Sequence, residues 1–183
     1  MNAPTAPLSP YSSALGTENV ETHTLSIVVD NEPGVLARVV GLFSGRGYNI
    51  ESLTVAEVAH AEHLSRITIV TSGPAAAIEQ IGHQLNRLVP VHNVKDLTLT
   101  GRAIDRELAM IKVAGTGVAR QEAQRLGEVF HAHVIDTTPE SFIFELTGTA
   151  KKIDDFVEVM RPLGLVEVAR TGIAAMTCGK EPT

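Results

Sequence analysis

The segment Asp30-Asn31-Glu32-Pro33-Gly34-Val35-Leu36 holds the residues best suited to chemistry, because it joins a β-branched run to the start of a helical stripe. The first amides of a helix have no acceptor within it and lie at the positive end of its dipole, so they hold carboxylates and phosphates. Gly34 has no Cβ and lets a ligand approach the backbone. Asn31 offers both a donor and an acceptor. With Asp30 it could take an ammonium group while the amides of Gly34 to Leu36 take a carboxylate, a cradle for a free amino acid. The same residues also make an ordinary turn, in which Pro33 and Gly34 set dihedrals and Asp30 or Asn31 caps the helix. Residue types alone leave both readings open.

Other chemical patterns are weaker. Gly115-Thr116-Gly117-Val118-Ala119-Arg120 follows a strand pattern and opens a helix, with Asp136 about twenty residues on, as a dinucleotide fingerprint asks. Arg120 stands where that fingerprint needs its third glycine for close helix–strand packing. His60 with His63, and His131 with His133, lack the helical spacing of metal ligands and read as exposed loop histidines. Cys178 has no expected histidine partner. No serine elbow and no carboxylate pair is present to supply a nucleophile or an acid and base. No metal site and no catalytic centre is expected.

The elements that must position the turn follow from apolar periodicity. Leu25 to Val29 is a strand; Val35, Leu36, Val39, Val40 and Phe43 mark a helix ended by Gly45-Arg46-Gly47. Asn49–Val58 and Leu64–Thr71 are two strands, Ile78, Ile81, Leu85 and Leu88 a second helix, and Val89–Leu99 a last strand. The order β-α-β-β-α-β then repeats. Glu107–Ala114 is a strand, Ala119, Ala123, Leu126 and Phe130 a helix, and His133–Asp136 and Phe142–Leu146 two strands. Ile153, Phe156, Val157, Met160 and Leu163 mark the last helix, and Leu165–Ala175 the last strand. The fold class is therefore α+β, two split β-α-β, ferredoxin-like units, each with both helices on one face of an antiparallel sheet. Residues 1–22 are expected to be a disordered tail, 23–99 the first domain, 100–106 a linker and 107–178 the second domain. Leu53, Val55 and Val70 are assigned to the open face of the first sheet, which suggests that a second subunit covers it.

Composition narrows the partners. The chain has 183 residues, 44% hydrophobic, with 15 Lys+Arg against 21 Asp+Glu and a net charge of −6. A deficit of positive charge argues against general nucleic-acid binding. Five Phe, two Tyr and no Trp leave few exposed rings on which bases could stack. No apolar run approaches the roughly 18–20 residues of a membrane span, and residues 1–22 lack the basic start and apolar middle of a signal peptide. A single cysteine excludes a disulfide framework. A soluble cytoplasmic protein is the default.

Beyond these patterns, Leu25-Ser26-Ile27-Val28-Val29-Asp30-Asn31-Glu32-Pro33-Gly34-Val35-Leu36-Ala37-Arg38-Val39 resembles the opening of an ACT domain. Gly41-Leu42-Phe43-Ser44-Gly45-Arg46-Gly47-Tyr48-Asn49-Ile50-Glu51-Ser52-Leu53-Thr54-Val55 narrows the likeness. It is similar to the small regulatory subunit of acetohydroxyacid synthase (acetolactate synthase), an enzyme of branched-chain amino-acid biosynthesis. Arg106-Glu107-Leu108-Ala109-Met110-Ile111-Lys112-Val113 and Val166-Glu167-Val168-Ala169-Arg170-Thr171-Gly172 agree, and the likeness covers about residues 23–177. Met176-Thr177-Cys178-Gly179-Lys180 departs from the family's usual Ser-Arg-Gly type of ending.

The resemblance implies a non-catalytic subunit with no cofactor of its own. Its partner would be a catalytic large subunit holding thiamine diphosphate, Mg²⁺ and FAD, which the small subunit activates. It further implies a homodimer through the ACT domains and feedback inhibition by valine; a pocket that separates valine from leucine or isoleucine by only about 1–3 kcal/mol per methylene leads to some response to all three. On this pattern the effector residues are Asn31, Pro33, Gly34, Val35 and Leu36, completed by Asn49 and Ile50 of the neighbouring subunit.

Overall fold

The computed structural model describes residues 20–183, so most of the expected N-terminal tail lies outside the described residues. The first unit contains β1 (Val20–Asp30), α1 (Val35–Arg46), β2 (Ser52–Ala59), β3 (Leu64–Pro74), α2 (Ala75–Leu85) and β4 (Val91–Asp96). Its sheet has the order β2-β3-β1-β4. The second unit contains β5 (Ala103–Ala114), α3 (Gly117–Phe130), β6 (His133–Thr137), β7 (Ser141–Gly148), α4 (Ala150–Met160), β8 (Leu165–Arg170) and β9 (Ala174–Thr177). There β6-β7-β5-β8 form the corresponding sheet, and β9 pairs only with β5. Two ferredoxin-like domains, as the periodicity predicts, make up the described chain.

Each sheet buries alternate residues under its helices. Leu25, Ile27 and Val29 of β1 meet Val35, Val39 and Phe43 of α1 and Ile78, Ile81 and Leu85 of α2. In the second domain Ile111, Val113, Phe144 and Leu146 meet Ile153, Phe156 and Met160. With no Trp available, stacked phenylalanines fill that core: Phe144 meets Phe156 edge-on at 5.7 Å, and Phe130 packs on Phe156 at 5.1 Å. The helical stripes predicted from spacing face the cores, except that Leu36 at the start of α1 is exposed.

Three details differ from the sequence reading. β1 begins at Val20, within the span assigned to the tail, because Val20–Thr22 continue the ladder against Ser72–Pro74. β5 begins at Ala103, within the span assigned to the linker. Its first half, Ala103–Arg106, pairs with β9, and its second half is the central strand of the second sheet. The final strand predicted over Leu165–Ala175 is split at Gly172, whose φ of +83° turns the chain out of one ladder and into the other.

The face assignment of β2 is also corrected. Leu53 lies opposite Ile69 and Val55 opposite Ile67, so both point to the helix side. Strand parity has period two, and the register with β3 fixes which residues face which way. Only Val70 of the three lies on the open face, between Thr24 and Ser52. That face is covered from within the chain: the β5–β9 ribbon lies over it, leaving Ser26, Thr68 and Val70 at most 5% exposed.

Candidate functional site

The turn from β1 into α1 leaves the start of the helix without a side-chain cap. Gly34 is the residue before the helix and takes φ +87°, with nothing within 4 Å of where a Cβ would lie. Val35 N–H reaches the Glu32 carbonyl at 3.4 Å and Arg38 N–H the Gly34 carbonyl at 3.1 Å. No side chain caps the helix, although Asp30 and Asn31 stand close in sequence. The amides of Leu36 and Ala37 are therefore left for solvent or a ligand. Asp30 is engaged elsewhere, 2.6 Å from His92 Nε2, and Asn31 N–H donates to the His63 carbonyl.

The expected residues divide in two. Asn31, Pro33, Gly34 and Leu36 sit together and exposed at the helix start, whereas the Val35 side chain is 4% exposed and belongs to the core. Asn49 and Ile50 are not beside them. Glu51 N–H donates to the Val70 carbonyl and Thr71 Oγ1 donates to the Asn49 carbonyl, which fixes Asn49–Ile50 at the far end of the sheet. Through the pairings Ser52↔Val70↔Thr24, that end lies about six residues along β1 from Asp30, roughly 20 Å. A single chain does not unite the two groups.

The decoys resolve in the same geometry. Arg120 lays its guanidinium 3.8 Å from the Phe142 ring centroid and donates to the Ser141 carbonyl and Thr137 Oγ1. It clasps the β6–β7 hairpin. His60 lies beside Glu57, and His131 takes φ +58° to end α3. Among the described residues no three His, Cys, Asp or Glu side chains gather as a metal ion requires.

The likeness to known proteins runs over both domains. Residues 106–179 match the family model described as the small subunit of acetolactate synthase, and residues 25–93 the model of the AHAS small subunit-like ACT domain. The probable acetolactate synthase small subunit of Archaeoglobus fulgidus is 43% identical over 87% of this chain and 98% of its own length. The chain belongs to the acetolactate synthase small-subunit family. The isozyme 3 small subunit of Salmonella typhimurium is 44% identical over 85% of this chain and 94% of its own. The crystal structure of the small subunit from Thermotoga maritima superposes with a TM-score of 0.78 at 38% identity, covering 88% of this chain and 99% of that one. In this family member, as in its sequence motifs, no helix of the described residues is long and apolar enough to cross a membrane.

Periodicity could not reveal the ion-pair cluster of the second domain. Glu107 is 5% exposed and receives two hydrogen bonds from Arg170, to Oε1 at 2.9 Å and Oε2 at 2.6 Å; Arg170 also reaches Asp154 at 2.6 Å. Arg170 holds its proton more tightly than an ordinary arginine, chiefly through the hydrogen bond to Glu107, with burial opposing and Asp154 adding. This cluster borders a cleft of about 570 Å³ between the domains, whose other wall is Thr22, Ser52 and Val70. Partners 63 residues apart leave no local signal.

Proposed function

We propose that this chain is a non-catalytic regulatory subunit of acetolactate synthase in branched-chain amino-acid biosynthesis, acting in the cytoplasm. It activates a separate catalytic large subunit, which supplies the thiamine diphosphate, Mg²⁺ and FAD chemistry, and it confers feedback inhibition by valine. The observation that carries the effector site is the uncapped start of α1 behind a left-handed Gly34. Valine's carboxylate would rest on the amides of Leu36 and Ala37, its ammonium on the Asn31 oxygen, and its isopropyl group against Leu36.

Asn49 and Ile50 join this pocket only from a second copy. β2 is an edge of its sheet. Pairing two β2 edges antiparallel about a two-fold axis would bring the partner's β2 start to the end where β1 runs into α1. This supports an ACT-domain homodimer with two effector sites between the subunits. An aliphatic pocket separates amino acids differing by one methylene by only about 1–3 kcal/mol, so leucine and isoleucine act as weaker effectors.

The test is calorimetric titration of valine, leucine and isoleucine into the full chain, beside inhibition assays of the holoenzyme. Valine binding that is lost in Asn31→Ala and Gly34→Asp, with activation of the large subunit retained, is the expected result. Unchanged valine inhibition in both variants would overturn the site.

A further inference from the structure

The open face of the first sheet carries hydroxyls and charges where a permanently covered face would be apolar. Lys95, Ser26, Thr68 and Thr54 form one row across its four strands. Along β1, Leu25, Ile27 and Val29 face the helices while Thr24 and Ser26 face away. Such alternation marks a sheet with one side in water.

The β5–β9 ribbon and the Gly172 connection nevertheless cover this face, and Ser26 and Thr68 are 2% and 4% exposed. The hydroxyls of Ser26 and Thr54 and the Nε of Arg66 are buried beyond the reach of water and meet no hydrogen-bond partner among the described residues. Each loses its hydration on closure with no bond in exchange. The ribbon offsets little of this. Among Ala103–Arg106 and Ala174–Thr177 only Ala175 is buried, and Ile104 and Met176 stay 50% and 60% exposed. Clefts of about 570, 320 and 340 Å³ lie along the contact, whereas fixed contacts pack to the density of a protein interior. Among the described residues three hydrogen bonds cross it: Ile173 N–H to Ser52 Oγ at 3.0 Å, Arg66 to the Thr183 carbonyl at 3.2 Å and Lys95 to the Pro182 carbonyl at 3.4 Å.

We propose that the ribbon is a releasable cover: the second domain lifts as one body, and the hydroxyl face of the first sheet alternates between covered and hydrated. β5 runs unbroken from the ribbon into the second sheet, so ribbon and domain move together. Leu97 N–H is held by the Thr24 carbonyl, and the Arg102 carbonyl by the Cys178 N–H. The bend falls between these two ties, where Leu99 is 75% exposed and Gly101 takes φ +63°. Opening hydrates three stranded polar groups and uncovers little apolar surface, which puts it among the low-energy openings of a folded chain. It gives the chain two arrangements between which a ligand or partner can choose. The device stands independently of the effector reading at α1.

Thiol labelling of the full chain, with Cys178→Ser as background, is the test. Ser26→Cys places a thiol under the ribbon, and Val39→Cys, 0% exposed, places one in the helix-side core. With iodoacetamide, Ser26→Cys is expected to label about 100-fold or more faster than Val39→Cys. Its rate should hardly change at low urea, since opening exposes far less surface than unfolding. Thr54→Val removes a hydroxyl that is hydrated only when the cover is open, and it is expected to slow labelling of Ser26→Cys roughly threefold or more. Amides of the β5–β9 ladder are expected to exchange more slowly than the thiol is exposed, because the ribbon lifts intact. Equal rates and urea dependence for the two thiols, unchanged or faster labelling in Thr54→Val, or ladder exchange in step with the thiol would each overturn the proposal. Should Ser26→Cys fail to fold, Thr68→Cys on the same row takes its place.

Discussion

Ser52 Oγ accepts the backbone N–H of Ile173 at 3.0 Å, across 121 residues of sequence, and so ties the start of β2 to the connection between β8 and β9. The bond forms because Gly172 lies flat against β2: a Cβ there would sit 2.9 Å from both Ser52 Oγ and Thr54 Oγ1. Gly172 also takes φ +83°, which L side chains resist. Gly172→Ala is expected to cost about 2 kcal/mol or more, from left-handed strain and from crowding. Ser52→Ala removes one hydrogen bond and is expected to cost about 1 kcal/mol. Urea denaturation gives both values, and amide exchange at Ile173 shows whether the loss lies at this contact.

Glycine substitutions at two other sites separate strain from collision. At Gly164, with φ +102°, a Cβ would fall 1.9 Å from the Ala114 carbonyl oxygen, a backbone atom that cannot rotate away. Gly164→Ala is expected to cost more than about 3 kcal/mol and to disturb the junction of β5 and β8. At Gly34, φ is +87° but nothing lies within 4 Å. Gly34→Ala should therefore carry only the conformational penalty, about 1–2 kcal/mol. Equal losses at the two sites would mean that the backbone near Gly164 yields.

The Glu107–Arg170 pair has an unequal response to losing either member. Arg170→Met strands a buried carboxylate with only the Gly172 N–H at 3.3 Å. Removing one partner of a buried pair costs about 3–5 kcal/mol; the Arg170 side chain is 35% exposed, and solvent screening brings the expectation to roughly 2–3 kcal/mol. Replacing both, as Glu107→Leu with Arg170→Met, is expected to recover part of that loss, measured by a double-mutant cycle. Because the proton affinity of Arg170 is raised on folding, its stabilisation is complete below the ordinary arginine range and is lost only as strong alkali removes the proton. Melting curves across neutral pH should show no slope from this guanidinium.

These residues mark where sequence reasoning stops. The stripe Ile153, Phe156 and Met160 was legible because a helix that buries one face must repeat its apolar residues with the helical period. The turn at Gly34 was legible because its residues are adjacent. Ala103–Arg106 was not: Gly101, Arg102 and Asp105 carry turn and charge signals, and what makes the segment a strand is Ala174–Thr177, some seventy residues on. Nor could hydrophobicity alone decide which face of β2 meets the helices, since Leu53 and Val55 are apolar on either face.

The separation of Asn31 from Asn49 within one chain permits a test of the proposed effector pocket that no single variant supplies. If each pocket takes Asn31 from one subunit and Asn49 from the other, Asn31→Ala and Asn49→Ala homodimers both lose valine binding. A mixed dimer places both substitutions in one pocket and leaves the other wholly native. Unfolding and refolding an equal mixture makes about half the dimers mixed, so about a quarter of all pockets are expected to regain native affinity. Calorimetry of the refolded mixture should then show a binding stoichiometry near that fraction, with the wild-type dissociation constant. Recovery of no sites, with each homodimer still folded and dimeric, would mean that Asn31 and Asn49 do not meet across the interface and that the helix start binds its ligand without the second copy.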